Sequence, residues 1–182
     1  MNIHVSNTAI VGVKLIEQFR ASDTRGEFTK TFHQTALLEQ GIDFQLKESF
    51  YSLSHQHVIR GMHFHHPPYE HAKIIFCTSG AILDVALDLR TNSSTYGRYV
   101  MAEISAENHR ALYIPRGFAH GFLSLSPHTC TFYLVDGSYQ READDGIRYD
   151  SFGLDWPLQS QDIILSARDA GFLPLSEFIS PF

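Results

Sequence analysis

Short strand-like segments follow one another through most of the chain, with little room for other structure between them. Runs of β-branched and aromatic residues alternate with Gly, Pro, Asn and Ser, a pattern typical of strands joined by turns. Parallel strands would need crossovers of about a dozen residues or more, usually helical, and the sequence supplies none. We therefore predict an all-β fold, an antiparallel sandwich or barrel. The predicted strands span residues 10–19, 26–33, 48–53, 73–78, 81–89, 98–104, 111–114 and 130–135.

The segment 81–90 shows the two-residue period of a strand most clearly. Its leucines and Val85 fall on one face, and Asp84 and Asp88 fall on the other, since successive side chains point to opposite sides of a sheet. This pattern predicts that one face of the strand packs and that the other presents carboxylates.

Helical signals are few. Residues 35–40 predict one short helix, which Gly41 ends, and Ser166 is a typical N-cap for a short turn near the C-terminus. The chain after residue 140 is irregular, and we expect it to fold back over the sheet.

Length and charge exclude several classes of protein. The 182 residues are typical of one domain, and we predict a single domain over residues 1–182. Lysines and arginines number 14 against 20 acidic residues, a net charge of −6 without a basic run, so nucleic acid is not an expected partner. No apolar stretch reaches the roughly 18 residues that span a membrane, and no signal peptide is recognisable. Cys77 and Cys130 alone make no disulfide framework, which predicts a cytoplasmic protein.

Three segments contain residue types that can do chemistry. The first holds His63 and His65, which share a face if the segment is extended. In the second, a Pro/Gly turn brings His120 to the start of an apolar strand, and in the third Tyr133 lies on a predicted strand. The segments are Val58-Ile59-Arg60-Gly61-Met62-His63-Phe64-His65-His66-Pro67-Pro68 followed by Lys73, Ile114-Pro115-Arg116-Gly117-Phe118-Ala119-His120-Gly121-Phe122, and Thr131-Phe132-Tyr133-Leu134.

These segments resemble the dTDP-4-dehydrorhamnose 3,5-epimerase family, cupin-like enzymes of nucleotide-sugar metabolism. The resemblance extends over nearly the whole chain, and so many matching blocks in the right order make it specific. It implies a cupin-like antiparallel β-jelly roll with short C-terminal helical segments, a homodimer, and neither a metal nor an organic cofactor. The other matching blocks are Asp23-x-Arg25-Gly26, Asp84-Val85-Ala86-Leu87-Asp88-Leu89-Arg90, Ser105-Ala106-Glu107-Asn108, Trp156-Pro157 and Leu165-Ser166-Ala167-Arg168-Asp169.

The resemblance implies inversion of C3, C5 or both in a nucleotide-diphospho-4-keto-6-deoxyhexose, through an enolate. His63 matches the base of the family, and a neutral imidazole suits this task because its pKa of about 6.5 lies near working pH. Asp169 matches the carboxylate that holds the base in the correct tautomer. Lys73 and His120 would stabilise the oxyanion on O4. Tyr133 matches the acid that returns a proton to the opposite face of the sugar.

Further positions match substrate contacts of the family. Arg25 and Arg60 match diphosphate contacts, which suit the bidentate geometry of a guanidinium group. Asp144 and Arg168 match other substrate contacts. Asp84 is predicted to orient His120 or the buried polar pocket.

Four positions depart from the family pattern. Glu48 and Phe50 stand where the family has Gln-x-Asn, Lys30 replaces an acidic residue, and Leu134 replaces the lysine that follows the catalytic tyrosine. Glu48, Phe50 and Lys30 fall at expected sugar or nucleotide contacts. The nucleotide, whether dTDP or another such as CDP, the sugar and the inverted centre therefore stay open.

Two other functions remain open from the residues alone. His63, His65, Glu70 and His120 have a spacing that suits a divalent metal, as in metal-dependent cupin oxygenases or isomerases. A non-catalytic jelly roll could bind a sugar nucleotide in the same pocket. Without a metal, His65 and His66 are expected at the pocket rim or surface. The joint presence of base, acid and orienting carboxylate in family order favours the epimerase.

Overall fold

The computed structural model describes residues 3–182, and strands account for most of its regular structure. Within these residues, no helix has the length and apolarity needed to cross a membrane. The strands are β1 (His4–Asn7), β2 (Lys14–Glu17), β3 (Phe19–Asp23), β4 (Gly26–Lys30), β5 (Glu48–Ser54), β6 (Ile59–His65), β7 (Lys73–Ser79), β8 (Ala81–Asp88), β9 (Tyr99–Ser105), β10 (Arg110–Ile114), β11 (Phe118–Ser124), β12 (Thr129–Val135) and β13 (Asp144–Gly146). The helices are α1 (Gln34–Glu39) and α2 (Ala167–Ala170), and 3-10 turns occupy Arg141–Ala143, Ser160–Asp162 and Leu175–Glu177.

Two antiparallel sheets form the two layers of the molecule. One has six strands in the order β1-β2-β10-β7-β12-β5, and the other has five in the order β13-β6-β11-β8-β9. Neighbours such as β10 and β7, or β6 and β11, are distant in sequence, which gives the crossed connections of a jelly roll. Strands β3 and β4 form a separate two-stranded hairpin. The predicted antiparallel jelly roll is confirmed.

The core lies between the two sheets and consists of the side chains on their inward faces. Ile75 and Leu112 come from the six-stranded sheet, and Ile82 and Phe122 come from the five-stranded sheet, all without solvent exposure. Each such burial stabilises the fold by about 1.5–3 kcal/mol. Tyr133 belongs to the same cluster, so this predicted site residue is part of the core between the sheets.

Strand β8 is buried on both faces, and the prediction that only one face packs is wrong. Its face with Asp84 turns into the interior between the sheets, where this carboxylate is fully buried. The opposite face, with Val85 and Leu87, packs under C-terminal residues that include Phe152 and Phe182. The prediction that the tail folds back over the sheet is therefore confirmed, and it is this tail that covers the second face.

Element boundaries differ from the prediction where a turn interrupts an apolar run. The predicted strand 10–19 is divided, since Gly12 at φ +103° turns the chain before β2, and β3 begins separately. The predicted strand 26–33 ends early because His33 caps α1 by accepting the backbone N–H of Ala36. The helix itself is confirmed, one residue earlier than predicted. The predicted strand ranges omit β1, β6, β11 and β13, although the expectation that His120 begins an apolar strand agrees with β11.

Candidate active site

A cavity of about 390 Å³ lies between the two sheets and collects most of the predicted site residues. One wall comes from β6 and β11, and the facing wall from β5, β7 and β12. The cavity is lined by Glu48, Phe50, Ser52, Arg60, His63, His65, His71, Lys73, His120, Tyr133, Val135, Tyr139, Asp144 and Arg168.

A β-bulge in β6 brings Arg60 and His63 to the same cavity, although their spacing would place them on opposite faces of a regular strand. Compared with its neighbour β11, β6 has one residue more between these two positions, and an extra residue reverses the alternation. Gly61 lies in the bulge at φ +134°, and a Cβ there would come within 2.4 Å of Gly121 Cα. Only glycine allows this approach of the two strands.

His63 and Asp169 form a hydrogen-bonded pair at the cavity wall. The Nε2 atom of His63 lies 2.9 Å from Asp169 Oδ1, and the second carboxylate oxygen accepts the N–H of Gly61 at 3.1 Å. Burial opposes ionisation of Asp169, but the hydrogen bonds from His63, Gly61 and Ser166 outweigh it and lower the pKa of this carboxyl. Ionised Asp169 keeps the proton on Nε2, which leaves the Nδ1 lone pair of His63 to act as a base. Ser166 caps α2 through the Asp169 N–H, as predicted.

Phe172 supports the same histidine from the side. Its ring packs edge-on against His63, with centroids 5.7 Å apart and an interplanar angle of 77°, and the Arg168 guanidinium lies 5.2 Å from the Phe172 centroid. Gly146 makes room for the ring, since a Cβ there would come within 2.4 Å of it. Sequence reasoning missed Phe172, because the matching block ends at Asp169 and the contact depends on tertiary packing.

Tyr133 reaches the cavity from β12, on the sheet that faces His63. Its ring stacks on Phe50 with centroids 4.7 Å apart, and its hydroxyl lies 3.5 Å from Ser52 Oγ. Burial raises the pKa of Tyr133, so the hydroxyl keeps its proton throughout the physiological range. The residue can therefore act as a proton donor.

His120 and Lys73 complete the polar centre of the cavity. The Nε2 atom of His120 lies 2.6 Å from Asp84 Oδ1 inside the core, so Nδ1 is the ring nitrogen left for the cavity. Burial lowers the pKa of His120, although Asp84 opposes the shift. Lys73 donates to the carbonyl oxygen of His63 at 3.3 Å. Burial lowers its pKa to about 8, against the opposing charges of Asp144 and Asp84.

The remaining charged residues divide the cavity into two ends. Arg60 lies at one end, where it donates to strand β5. At the other end Arg168 is paired with Asp144 at 2.9 Å, and Tyr139 joins them through a 3.3 Å bond from its hydroxyl to Asp144. Glu48 accepts the backbone N–H of Tyr139. Tyr139 lines the cavity but was missed by sequence reasoning, because it follows the matching block around Tyr133 in an irregular segment.

Arg25 and Lys30 do not reach the cavity of their own chain. Both lie on the β3–β4 hairpin, where the side chain of Arg25 is 88% exposed and paired with Asp23, and Lys30 lies 5.9 Å from the centroid of the Phe28 ring. One chain therefore assembles fewer of the predicted substrate contacts than the sequence suggests.

The residues of the alternative metal site are not brought together. Glu70 lines a separate surface cavity with Arg116, whereas the three histidines of that set line the cavity between the sheets. In the chain from residue 3 to residue 182, no three His, Cys, Asp or Glu side chains are arranged to hold a metal ion. The expected rim position is wrong for His65, which is only 8% exposed, while His66 is partly exposed and paired with Asp145.

Known proteins match the chain over nearly its full length. The family model for dTDP-4-dehydrorhamnose 3,5-epimerase matches residues 7–177. The dTDP-4-dehydrorhamnose 3,5-epimerase of Methanothermobacter thermautotrophicus is 39% identical, over 93% of this chain and 93% of its own. The dTDP-4-dehydrorhamnose 3-epimerase of Streptomyces niveus is 34% identical over 91% and 86%. A crystal structure of dTDP-6-deoxy-D-glucose-3,5-epimerase from Legionella pneumophila in complex with dTDP-4-keto-L-rhamnose has a TM-score of 0.92 at 33% identity, covering 98% of this chain and 95% of that one.

The jelly roll, the acid/base site and these relatives together define a carbohydrate epimerase, an isomerase rather than an oxygenase or a binding protein. More specifically, the chain belongs to the dTDP-4-dehydrorhamnose 3,5-epimerase family. The resemblance drawn from the motifs and the enzyme class predicted from them are both confirmed.

Proposed function

We propose that the protein inverts C3, C5 or both in a nucleotide-diphospho-4-keto-6-deoxyhexose by acid/base catalysis. The observation that supports this best is that His63, paired with Asp169, and Tyr133 line the same cavity from opposite sheets. Inversion requires a base on one side of the sugar ring and an acid on the other. The relative from L. pneumophila was crystallised with dTDP-4-keto-L-rhamnose, a ligand of this class.

The 4-keto group determines the chemistry, because it acidifies the hydrogens on the neighbouring carbons C3 and C5. The Nδ1 atom of His63 removes one of them, and Asp169 stabilises the imidazolium that forms. The resulting enolate has its charge on O4, next to Lys73 and His120. A preorganised donor at such an oxygen is typically worth about 3–4 kcal/mol. Tyr133 then protonates the carbon from the opposite face.

Substrate identity depends on the residues around this centre. Glu48 and Phe50 both line the cavity, so these two departures from the family pattern bear on recognition. Leu134 instead packs in the hydrophobic cluster on the far side of the six-stranded sheet. We propose a dTDP-linked substrate on the strength of the relatives, with Arg60 on the diphosphate, and we include CDP-linked sugars as the alternative to be assayed.

We further propose that residues 1–182 form one domain and that two copies form a homodimer. In the dimer, the β3–β4 hairpin of one chain would bring Arg25 to the diphosphate in the cavity of the other. Support for this comes from Arg25 itself, which is exposed and remote from its own cavity. The free thiols of Cys77 and Cys130 support a reducing, cytoplasmic location.

The exchange of C3 and C5 protons with heavy water tests the proposed reaction. His63→Ala should lose exchange at both carbons, because it removes the base that is paired with Asp169. His66→Ala is a matched control, since His66 also bonds to an aspartate, Asp145, at 2.9 Å but lies outside the cavity. Undiminished turnover by His63→Ala would disprove the assignment of the base.

A complementation experiment tests the proposed dimer. Arg25→Ala and His63→Ala should each lower activity when all chains are identical. Refolding the two variants together should restore activity, because each mixed dimer then has one cavity with His63 from one chain and Arg25 from the other. Failure of the mixture to gain activity, with a dimer seen in solution, would show that Arg25 does not act across the interface.

A further inference from the structure

Two histidines in the cavity take no part in the acid/base mechanism. His65 from β6 and His71 from the β6–β7 loop both line the cavity, with ring centroids 4.6 Å apart. We infer that this histidine pair binds a hydroxyl group of the sugar and contributes to the choice of sugar. The inference rests on the function proposed above, because it concerns the same substrate in the same cavity.

The charge state of the pair favours an uncharged ligand group. Burial lowers the pKa of His65, and burial together with the nearby Lys73 lowers the pKa of His71 to about 3. Both rings are therefore neutral at physiological pH. A neutral imidazole presents one donor and one acceptor, which matches a hydroxyl group, whereas a phosphate is better served by the guanidinium of Arg60.

The hydrogen bonds of the two rings are incomplete. The Nε2 atom of His65 accepts the backbone N–H of Gln140 at 3.3 Å, which places the proton of the neutral ring on Nδ1. The Nδ1 atom of His71 is buried and makes no hydrogen bond to the described residues. Buried polar atoms are normally hydrogen-bonded, so the His71 ring has hydrogen-bonding capacity that the protein does not use. Its Nδ1 lies against Gly137, which leaves Nε2 as the ring nitrogen available to a ligand in the cavity. Gly137 fixes this ring, since a Cβ there would come within 2.6 Å of His71 Cβ.

The position of the pair relates it to the sugar rather than to the diphosphate. His65 follows the base His63 by two residues on β6, on the side away from Arg60. Lys73 follows His71 by two residues and bonds to the carbonyl of His63. The histidine pair therefore lies next to the residues that face the ketone, and His63 separates it from Arg60.

Calorimetric binding of dTDP and of dTDP-glucose, which lacks the ketone and does not turn over, tests the inference. His65→Phe and His71→Phe keep a ring but remove the polar atoms. We expect each substitution to weaken the binding of dTDP-glucose roughly three- to tenfold, the loss typical of a neutral hydrogen bond, and to leave the affinity for dTDP unchanged. His65→Gln and His71→Gln keep a donor and an acceptor and should recover much of the affinity. His55→Phe, at an exposed position outside the cavity, is the matched control.

The outcomes separate this inference from the proposed function. Equal losses of affinity for dTDP and dTDP-glucose would place the histidine pair against the nucleotide. No loss of affinity for either ligand would show that the pair does not take part in binding. Each of these results would overturn the inference. Unchanged dTDP affinity also reports that a variant is folded, and if His71→Phe does not fold, His65→Phe and the two glutamine variants decide. Proton exchange by the unmodified protein tests the proposed function independently, because it does not depend on these substitutions.

Discussion

Replacement of Asp169 by asparagine should stop catalysis and leave the fold intact, because it fixes His63 in the wrong tautomer. The two side chains have the same shape, but the amide has one oxygen where the carboxylate has two. In the protein, one carboxylate oxygen lies 2.9 Å from His63 Nε2 and the other accepts the Gly61 N–H at 3.1 Å. The single amide oxygen can serve only one of these two groups.

The backbone N–H of Gly61 decides which way the amide turns. A buried N–H without an acceptor costs about 1–3 kcal/mol, and the peptide cannot change its protonation, whereas the imidazole can exchange one tautomer for the other. The amide oxygen therefore faces Gly61, its NH2 group faces Nε2 of His63, and the ring proton moves to Nδ1. That nitrogen is the one that faces the sugar, so the base is lost. The equivalent change in a serine-protease triad lowers kcat about 10⁴-fold, and we expect a loss of about 10³–10⁴, or roughly 4–5.5 kcal/mol in the barrier.

The assay is the rate of C3 and C5 proton exchange in heavy water, with ¹⁵N NMR of the histidine rings to read the tautomer directly. Asp145→Asn is the control, since Asp145 also bonds to a histidine at 2.9 Å but on the surface. It should keep full activity. If Asp169→Asn retained more than about a tenth of the exchange rate, or if His63 kept its proton on Nε2, the argument from the Gly61 N–H would be refuted.

Three further predictions follow from the same geometry. Tyr133→Phe should still exchange protons but not invert the carbon, which NMR of the product would show; loss of exchange as well would contradict its role as the acid. The kcat/KM for exchange should fall as the pH rises above about 8, because Lys73 then loses the proton that stabilises O4. The Lys73→Met variant should be slower and should lack this fall. If the variant kept the same pH profile, the fall would belong to another group. Gly61→Ala should lower the free energy of unfolding by at least about 3 kcal/mol, since its Cβ would overlap the backbone of Gly121. Gly153→Ala, also at positive φ but with open space around it, should cost about 1 kcal/mol in the same denaturant titration, and equal losses would disprove the steric argument.

The sequence was sufficient for the fold class and for finding the residues that we propose as the acid/base centre. Short strands with turn residues between them exclude helical crossovers, so the antiparallel arrangement follows from local patterns. His63, Tyr133 and Asp169 lie in ordered blocks that are recognisable without a structure, and the structure brings His63 and Asp169 into direct contact.

Features that depend on contacts between distant segments could not be predicted from local patterns. The bulge at Gly61 arises because β6 has one residue more than β11 between the paired positions Arg60–Phe122 and His63–His120, which no single segment reveals. Both faces of β8 are buried because the C-terminal tail covers one of them. Phe172 meets His63 only when that tail is in place. The exposed position of Arg25 depends on how the β3–β4 hairpin folds away from the sheets.

Epimerisation through an enolate is tested most directly by proton NMR of the metal-stripped protein in heavy water. The substrates are dTDP-, CDP-, UDP- and GDP-linked 4-keto-6-deoxyhexoses, and the measurement is the loss of the C3 and C5 signals. We predict loss of one or both signals with at least one nucleotide, and the affected carbons will distinguish a 3,5-epimerase from an enzyme that inverts one centre. Retention of both signals with every nucleotide, until iron, manganese or zinc is added, would contradict acid/base catalysis by His63 and Tyr133.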